Sequence, residues 1–330
     1  MDCVRAQRSL PLAASNLGVE SCRDCHEAEV DAWERTTHAT SIEKVIASEL
    51  TQRLAEGMHL QPDGVVSHAS CVRCHFTEES LASSVQITAG VSCESCHGGA
   101  RDWIDEHNRK SLTRGERVQI SRDRGMVHPS SLVDVAKGCF ECHVVDDEQL
   151  VNRGGHPAMS DDFELYSWYS GEVRHGFLIQ NSEKSVKSHT EELQPIPEAR
   201  KRMMFVCGKL LHLGHTLRAL ALCSDPPVDK SGLPIRLKSG AYTMGVQHAM
   251  TARSLISDLE RIQSMVEIPQ INTALGVVAG LSFITGEQPA MAAASRELLR
   301  LADEFEKTVQ GDDVRSIDSL IPAARRNRGH

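Results

Sequence analysis

The chain has 330 residues, with 36 Lys and Arg against 45 Asp and Glu, 40% hydrophobic and only 4% aromatic side chains, and a mean hydropathy of −0.29. These values exclude collagen-like, low-complexity and membrane-spanning classes, and a net charge of −9 speaks against nucleic acid as a partner. Against that ordinary background stand 11 Cys and 16 His, an unusual supply of metal-ligating side chains, on a chain long enough for two domains of ~100–200 residues each.

In chain order, residues 1–20 read as a disordered N-terminal segment that includes Cys3. Arg5 and Arg8 are followed by no apolar run of the roughly 7–15 residues that a secretory signal needs; only Leu10–Ala14 resembles the end of one. Cys22, Cys25 and His26 then open a series of four CxxCH motifs, continued by Cys71, Cys74, His75; Cys93, Cys96, His97; and Cys139, Cys142, His143. At the chain's own Cys and His frequencies, chance supplies roughly 0.02 such motifs. The spacing has a chemical reason. On one helical turn residues i, i+3 and i+4 share a face, so two thiols can bond the two vinyl groups of a haem while the histidine reaches its iron. Four covalently attached haem c groups are therefore expected, with the eight cysteines as attachments and His26, His75, His97 and His143 as proximal ligands. Structural zinc would draw four ligands from two such pairs, and a disulfide framework would not demand histidine after every second cysteine. Thioredoxin-like redox motifs do not come four to a chain.

What fills the far side of each iron separates an electron carrier from a catalyst. Glu27–Thr40 lacks Pro and Gly and, as a helix, would carry His38 roughly 18 Å from His26. His38 cannot fold back onto its own haem, so as a ligand it would cap another one. The same holds for His107, ten residues beyond His97. Ser41 is placed to cap a spacer helix whose Ile42, Val45, Ile46, Leu50 and Leu54 share one face. His59 and His189 read as surface residues, and His68 and His128 as surface or hydrogen-bonding ones. Met58, Met126 and Met159 stand in no recognisable ligand context. Gly98 and Gly99 follow His97 where backbone would pass a macrocycle or simply turn.

Several runs together resemble one family: Cys22–Ser41 (CRDCHEAEVDAWERTTHATS), Cys71–Thr77 (CVRCHFT), Gly90–Ala100 (GVSCESCHGGA) followed by His107, and the fourth CxxCH at Cys139. They resemble the tetrahaem cytochrome c554 family of exported bacterial electron carriers over about residues 20–180. The resemblance implies a mostly helical, compact haem domain with closely packed haem pairs, and His38 and His107 match its distal-ligand positions. Gly155, His156, Pro157 and Gly171–Phe177 (GEVRHGF) resemble longer members with a helical C-terminal extension, which makes His156 and His175 the remaining distal candidates. The resemblance also implies a five-coordinate haem on the second motif, that of His75, whereas this chain has histidines enough to fill all four sites.

Residues 181–195 (NSEKSVKSHTEELQP) are polar, lack apolar periodicity and read as a linker. Beyond it, Met203, Val206, Leu210, Leu213, Leu217 and Leu220 keep a three–four spacing. Leu255, Leu259, Ile262 and Val266 do the same before Pro269 stops that helix. A shorter apolar stretch carries Gly276 and Gly280, and Met291, Ala294, Leu298, Leu301, Phe305 and Val309 make a last stripe behind Pro289. Four such helices predict a small bundle over 196–330, no strand-rich alternation appears, and the fold class is mainly α. His212 and His215 lie opposite the leucine stripe and are expected to face water or the haem domain. His248 falls on an apolar stripe as a core histidine. Cys207 and Cys223, 16 residues apart on or near one helix, are too distant for a disulfide and read as buried free thiols.

The expected function is a periplasmic tetrahaem electron-transfer protein with low-potential, bis-histidine haems, since haem c attachment takes place outside the bacterial cytoplasm. Its partners would be redox proteins, basic ones by charge; neither nucleic acid nor a membrane span is expected, and a homo-oligomer would be compatible. The rival is an enzyme that acts on nitric oxide or hydroxylamine at an open haem, with His75 as the suspect.

Overall fold

The computed structural model describes residues 15–61, 64–81, 84–160, 162–173, 196–224, 233–284 and 286–325. Cys3, the linker expected at 181–195, His175 and His189 lie outside the described residues. The architecture is mainly helical, as expected. Each CxxCH motif sits on its own helix: α1 (Glu20–Glu34), α4 (Ala69–His75), α5 (Cys93–His97) and α7 (Leu132–His143), with α2, α3 and α6 between them. In α4, α5 and α7 the motif histidine is the last helical residue. α1 runs on beyond its histidine but is kinked there, since His26 leaves helical geometry (φ −126°, ψ 42°).

Two local expectations need correction. The spacer after motif one is broken into α2 (Ser41–Ala47) and α3 (Glu49–Gly57), because Ser48 is extended (ψ 129°). Ser48, not Ser41, is the cap, accepting from the Leu50 N–H at 3.1 Å. Ile46, on α2, is exposed. The structure also has strands: β1 (Thr77–Leu81) and β2 (Ser84–Ala89) form an antiparallel hairpin with a bulge at Thr77/Glu78. Strands this short give too few alternations to stand out in a sequence. The segment between motifs three and four holds α6 (Arg114–Asp123), opened by a Thr113/Glu116 capping box. Past motif four come α8 (Glu148–Asn152) and α9 (Leu165–Trp168).

The C-terminal stripes become α10 (Glu198–Leu222), α11 (Met244–Met265), α12 (Pro269–Val278) and α13 (Gln288–Thr308). α11 ends at Met265, and Pro269 begins the next helix rather than merely stopping the last, in the position where its missing N–H costs nothing. α10 packs against α11, α13 and α7, so it is covered on several faces and not only along its leucine stripe. Of the two places expected for His215, water is therefore corrected, and the ring faces the helix of motif four instead. His215 is 2% exposed, with its ring 5.8 Å from that of Phe140 on α7, and His212 lies 5.3 Å from the same ring. Cys207 and Cys223 are buried free thiols.

One hydrophobic core runs from α7 through the bundle: Leu132, Val133, Ala136 and Phe140 pack in the same cluster as Leu210, Leu213, Leu298 and Phe305. Polar contacts reinforce it. The Glu306 carboxylate accepts from the Leu132 and Val133 N–H groups at 2.5 and 3.1 Å, at the N-terminus of α7 where the helix dipole favours an anion. Lys137 Nζ pairs with Asp303 at 3.0 Å. The helix that bears motif four is thus clamped at its start by α13.

His248 is a core histidine, fully buried, with Nε2 2.8 Å from the Val145 carbonyl. Burial pushes it from 6.5 down to about 4. An unfolded chain therefore takes up a proton near pH 6.5 that the folded chain refuses until about pH 4, so this contribution to stability is present above 6.5 and lost as pH falls. Denaturant titrations should show the loss, up to roughly 3 kcal/mol between pH 7 and pH 4, and His248→Gln should flatten it.

Candidate functional site

The structure brings the predicted histidines together in pairs. His26 and His107 have ring centroids 6.2 Å apart, as do His38 and His143, and His75 and His156. An iron between two imidazoles, about 2 Å from each coordinating nitrogen on opposite faces, puts the ring centroids about 6 Å apart. The tetrahedral angle of a structural zinc site would bring them to about 5 Å. Each pair joins a motif histidine to one of the distal candidates. His97 is half-buried, with Nδ1 3.1 Å from the Val127 carbonyl; the remaining candidate, His175, lies outside the described residues.

The chain also holds the rings by the nitrogen that a metal would not use. Nδ1 of His143 meets the Ser160 hydroxyl at 2.7 Å, Nδ1 of His156 meets the Pro157 carbonyl at 2.7 Å, and Nδ1 of His107 meets the Ile104 carbonyl. Such contacts set the tautomer and leave Nε2 with its lone pair. Burial, with neighbouring imidazoles second, pushes His75 down to about 4 and His143 to about 3, so both rings are neutral, the ligand form. His26 differs. Its pKa is raised, chiefly by the carboxyl of Glu29. Phe163 stacks on His143 with centroids 4.2 Å apart and planes 7° from parallel.

The loop that carries His38 is fastened to the segment before motif three. The Trp33 indole donates to the Val91 carbonyl at 2.8 Å, the Val91 N–H donates to the His38 carbonyl at 3.0 Å, and Gly90 lies so close that any side chain there would meet the backbone of His38 and Ala39. The Ser41 hydroxyl lies 2.8 Å from the His38 carbonyl and 2.7 Å from the His75 carbonyl. Thr77 Oγ1 gathers the Gly90 carbonyl and the hydroxyls of Ser92 and Ser95. Glu94, 2% exposed, accepts from three backbone N–H groups: Leu17 at 2.9 Å, Gly18 at 2.9 Å and Ala100 at 2.8 Å. A residue inside motif three thus holds the chain that leads into α1 and motif one.

The motif cysteines fall next to one another across motifs. The thiols of Cys22 and Cys93 are hydrogen-bonded, as are those of Cys74 and Cys142. Cys96 is near enough to Cys139 to raise it electrostatically, after burial, and Cys139 stands at about 12. The motifs therefore adjoin in the order one, three, four, two.

Residues 21–98, which contain the first three motifs, the His38 loop and Glu94, match the model of the family described as cytochrome c554 and c-prime. Over these residues the chain is similar to the cytochrome c554 family. A curated relative, cytochrome c-554 of Nitrosomonas europaea, is 24% identical over 144 residues, which cover 42% of this chain and 61% of the relative. The chain thus spans less than two thirds of that relative's length. No solved structure matches it. That likeness supports a c-type cytochrome with covalently bound haem c. The c554-type residues noted in the sequence, Trp33, His38 and the GVSCESCHG run, are the ones that the hydrogen bonds above tie into one unit. Serine, threonine and glutamate within or beside the motifs were the part that sequence reasoning missed. Ser41 was read only as a helix cap, and Thr77 and Glu94 look like surface polar residues until their long-range partners are known.

Proposed function

We propose that the chain is a periplasmic electron-transfer protein holding four haem c groups in a row, each bound by cysteines of one CxxCH motif. The observation that carries the reading is the set of three histidine pairs at 6.2 Å. His26 with His107, His143 with His38, and His75 with His156 would hold three of the irons, and His97 would hold the fourth, with His175 as the candidate for its other side. Bound haem supplies a ferric/ferrous couple that takes up or gives one electron. Imidazole on both faces favours the ferric state relative to His/Met ligation, so the potentials lie at the low end for c-type haems. The adjoining cysteines make motifs one and three neighbours, three and four neighbours, and four and two neighbours, which supports a path with motifs one and two at its ends.

The chain's own residues hold this arrangement. The hydroxyl of Ser160 and the carbonyls of Val127, Ile104 and Pro157 fix ring orientation, and the Trp33, Ser41, Gly90 and Thr77 contacts place His38 under motif four although it follows motif one. The helical unit over 196–330 acts as a support that braces α7. Among the described residues no helix is long and apolar enough to cross a membrane. The net charge of −9 favours basic redox partners.

The alternative, a haem enzyme acting on a small nitrogen compound, needs an open face at His75. The ring of His156, 6.2 Å away, counts against it. A pyridine haemochrome assay should count four haems per chain. The ferric protein should give only low-spin EPR signals, and CO should leave the reduced spectrum unchanged. Another haem count would sink the tetrahaem reading; a high-spin, CO-binding centre in the unmodified protein would favour the enzyme.

A further inference from the structure

The histidine sites differ in what stands behind the ring. At His97, His107 and His156 it is a backbone carbonyl, and at His143 a hydroxyl, all neutral. At His26 it is the carboxyl of Glu29, with Oε1 3.7 Å from Nδ1. Glu29 sits one turn on from His26 on α1, and its side chain is only 10% exposed. Burying a carboxyl is costly, and the ring of His26 is a nearby group on which its charge acts.

We infer that Glu29 is a positioning residue that tunes the His26/His107 haem, making it the lowest in potential of the three whose ligand pairs are described. The inference rests on the haem reading above. At 3.7 Å the contact is longer than a hydrogen bond, but a negative charge that close behind a coordinated imidazole polarises the ring and makes the other nitrogen a stronger donor. A stronger donor stabilises ferric iron, which carries one more positive charge than ferrous. A carbonyl or hydroxyl does the same more weakly because it carries no net charge. An electron arriving on the row is thus disfavoured at motif one and drawn toward motifs three, four and two.

The ring planes offer a way to see this site apart from two others. His26 and His107 are 27° from parallel, whereas the other two pairs are crossed at 60° and 57°. Near-parallel imidazoles split the iron d orbitals and give a rhombic low-spin EPR signal; steeply crossed ones give a more axial signal. The test is an EPR-monitored redox titration of the haem-loaded protein and of Glu29→Gln and Glu29→Asp. Glutamine keeps shape and removes charge; aspartate keeps charge but draws it back by one methylene. For Glu29→Gln, one rhombic signal should titrate about tenfold more readily toward ferrous, a rise of about 59 mV for one electron, with the other midpoints unmoved. Glu29→Asp should move the same signal in the same direction by less. The inference is overturned if no midpoint moves in a variant that retains four low-spin haems, or if all move together, which would mark a general charge effect. If Glu29→Gln does not assemble, Glu29→Asp alone decides, and an unmoved rhombic signal overturns the inference. A haem count other than four in the parent protein would instead strike the haem reading itself.

Discussion

Replacing His156 with alanine should turn one low-spin haem high-spin and give the reduced protein a CO-binding centre that the parent lacks. The expectation follows from how firmly His156 is held against His75. Its N–H donates to the Leu150 carbonyl at 3.2 Å, its Nδ1 meets the Pro157 carbonyl, and Gly155 before it takes a positive φ of 79° that a larger residue would resist. Gly154 packs against Leu54 and Met58 of the α3 region, so the turn is set by the spacer that leads to motif two. Alanine leaves that backbone in place and removes only the ring. Ferric EPR and the CO difference spectrum measure the result, with a stoichiometry of one centre per chain. If all centres stay low-spin and CO-silent, His156 is not the ligand opposite His75, and the case against an open haem falls with it.

Glu94→Ala should cost the haem region about 3–6 kcal/mol, a large part of the ~5–15 kcal/mol that holds a typical domain together. Three backbone N–H groups point at this one buried carboxylate. Alanine offers them no acceptor, and a cavity the size of the lost carboxyl cannot satisfy all three. The damage falls on Leu17 and Gly18, which lead into α1, and on Ala100, which follows motif three, so motifs one and three should loosen together. Thermal melts followed by circular dichroism should show a midpoint lower by roughly 10 °C. Glu94→Gln, which keeps the shape and one acceptor oxygen, should fall between. A melt of Glu94→Ala within a degree or two of the parent would show that these bonds are replaced by water at little cost.

The parts of the molecule that were readable in advance are those with short-range rules. CxxCH is written by the reach of two thiols and an imidazole from one helical turn, and α4, α5 and α7 each close on their histidine in that way. The stripes of α10, α11 and α13 follow from helical period alone. His38 and His107 were legible through the resemblance to a family, but their pairings were not. Nothing near His38 in sequence says that its ring meets His143, 105 positions on, because that meeting is made by Gly90, Val91 and Ser41. For His215 the sequence left two places open, water or the haem domain, and could not choose between them for a related reason. The helical wheel shows where leucines face but not how many neighbours surround the helix, and α10 has α7 against it as well as the bundle. Glu29 and Glu94 sit inside the quoted motif runs, yet a carboxylate reads as solvent-facing until a buried ring or three amides are found in front of it.

The clamp of Glu306 and Lys137–Asp303 on α7 bears on how the protein can be divided. A fragment cut at residue 180 would keep all eight CxxCH cysteines, yet it would bare Leu132, Val133, Ala136 and Phe140 to water and strip the first turn of α7 of its acceptor. The bundle is therefore scaffolding for α7 rather than an appendage, and shortening the chain to its CxxCH motifs would discard part of the wall that the fourth of them leans on.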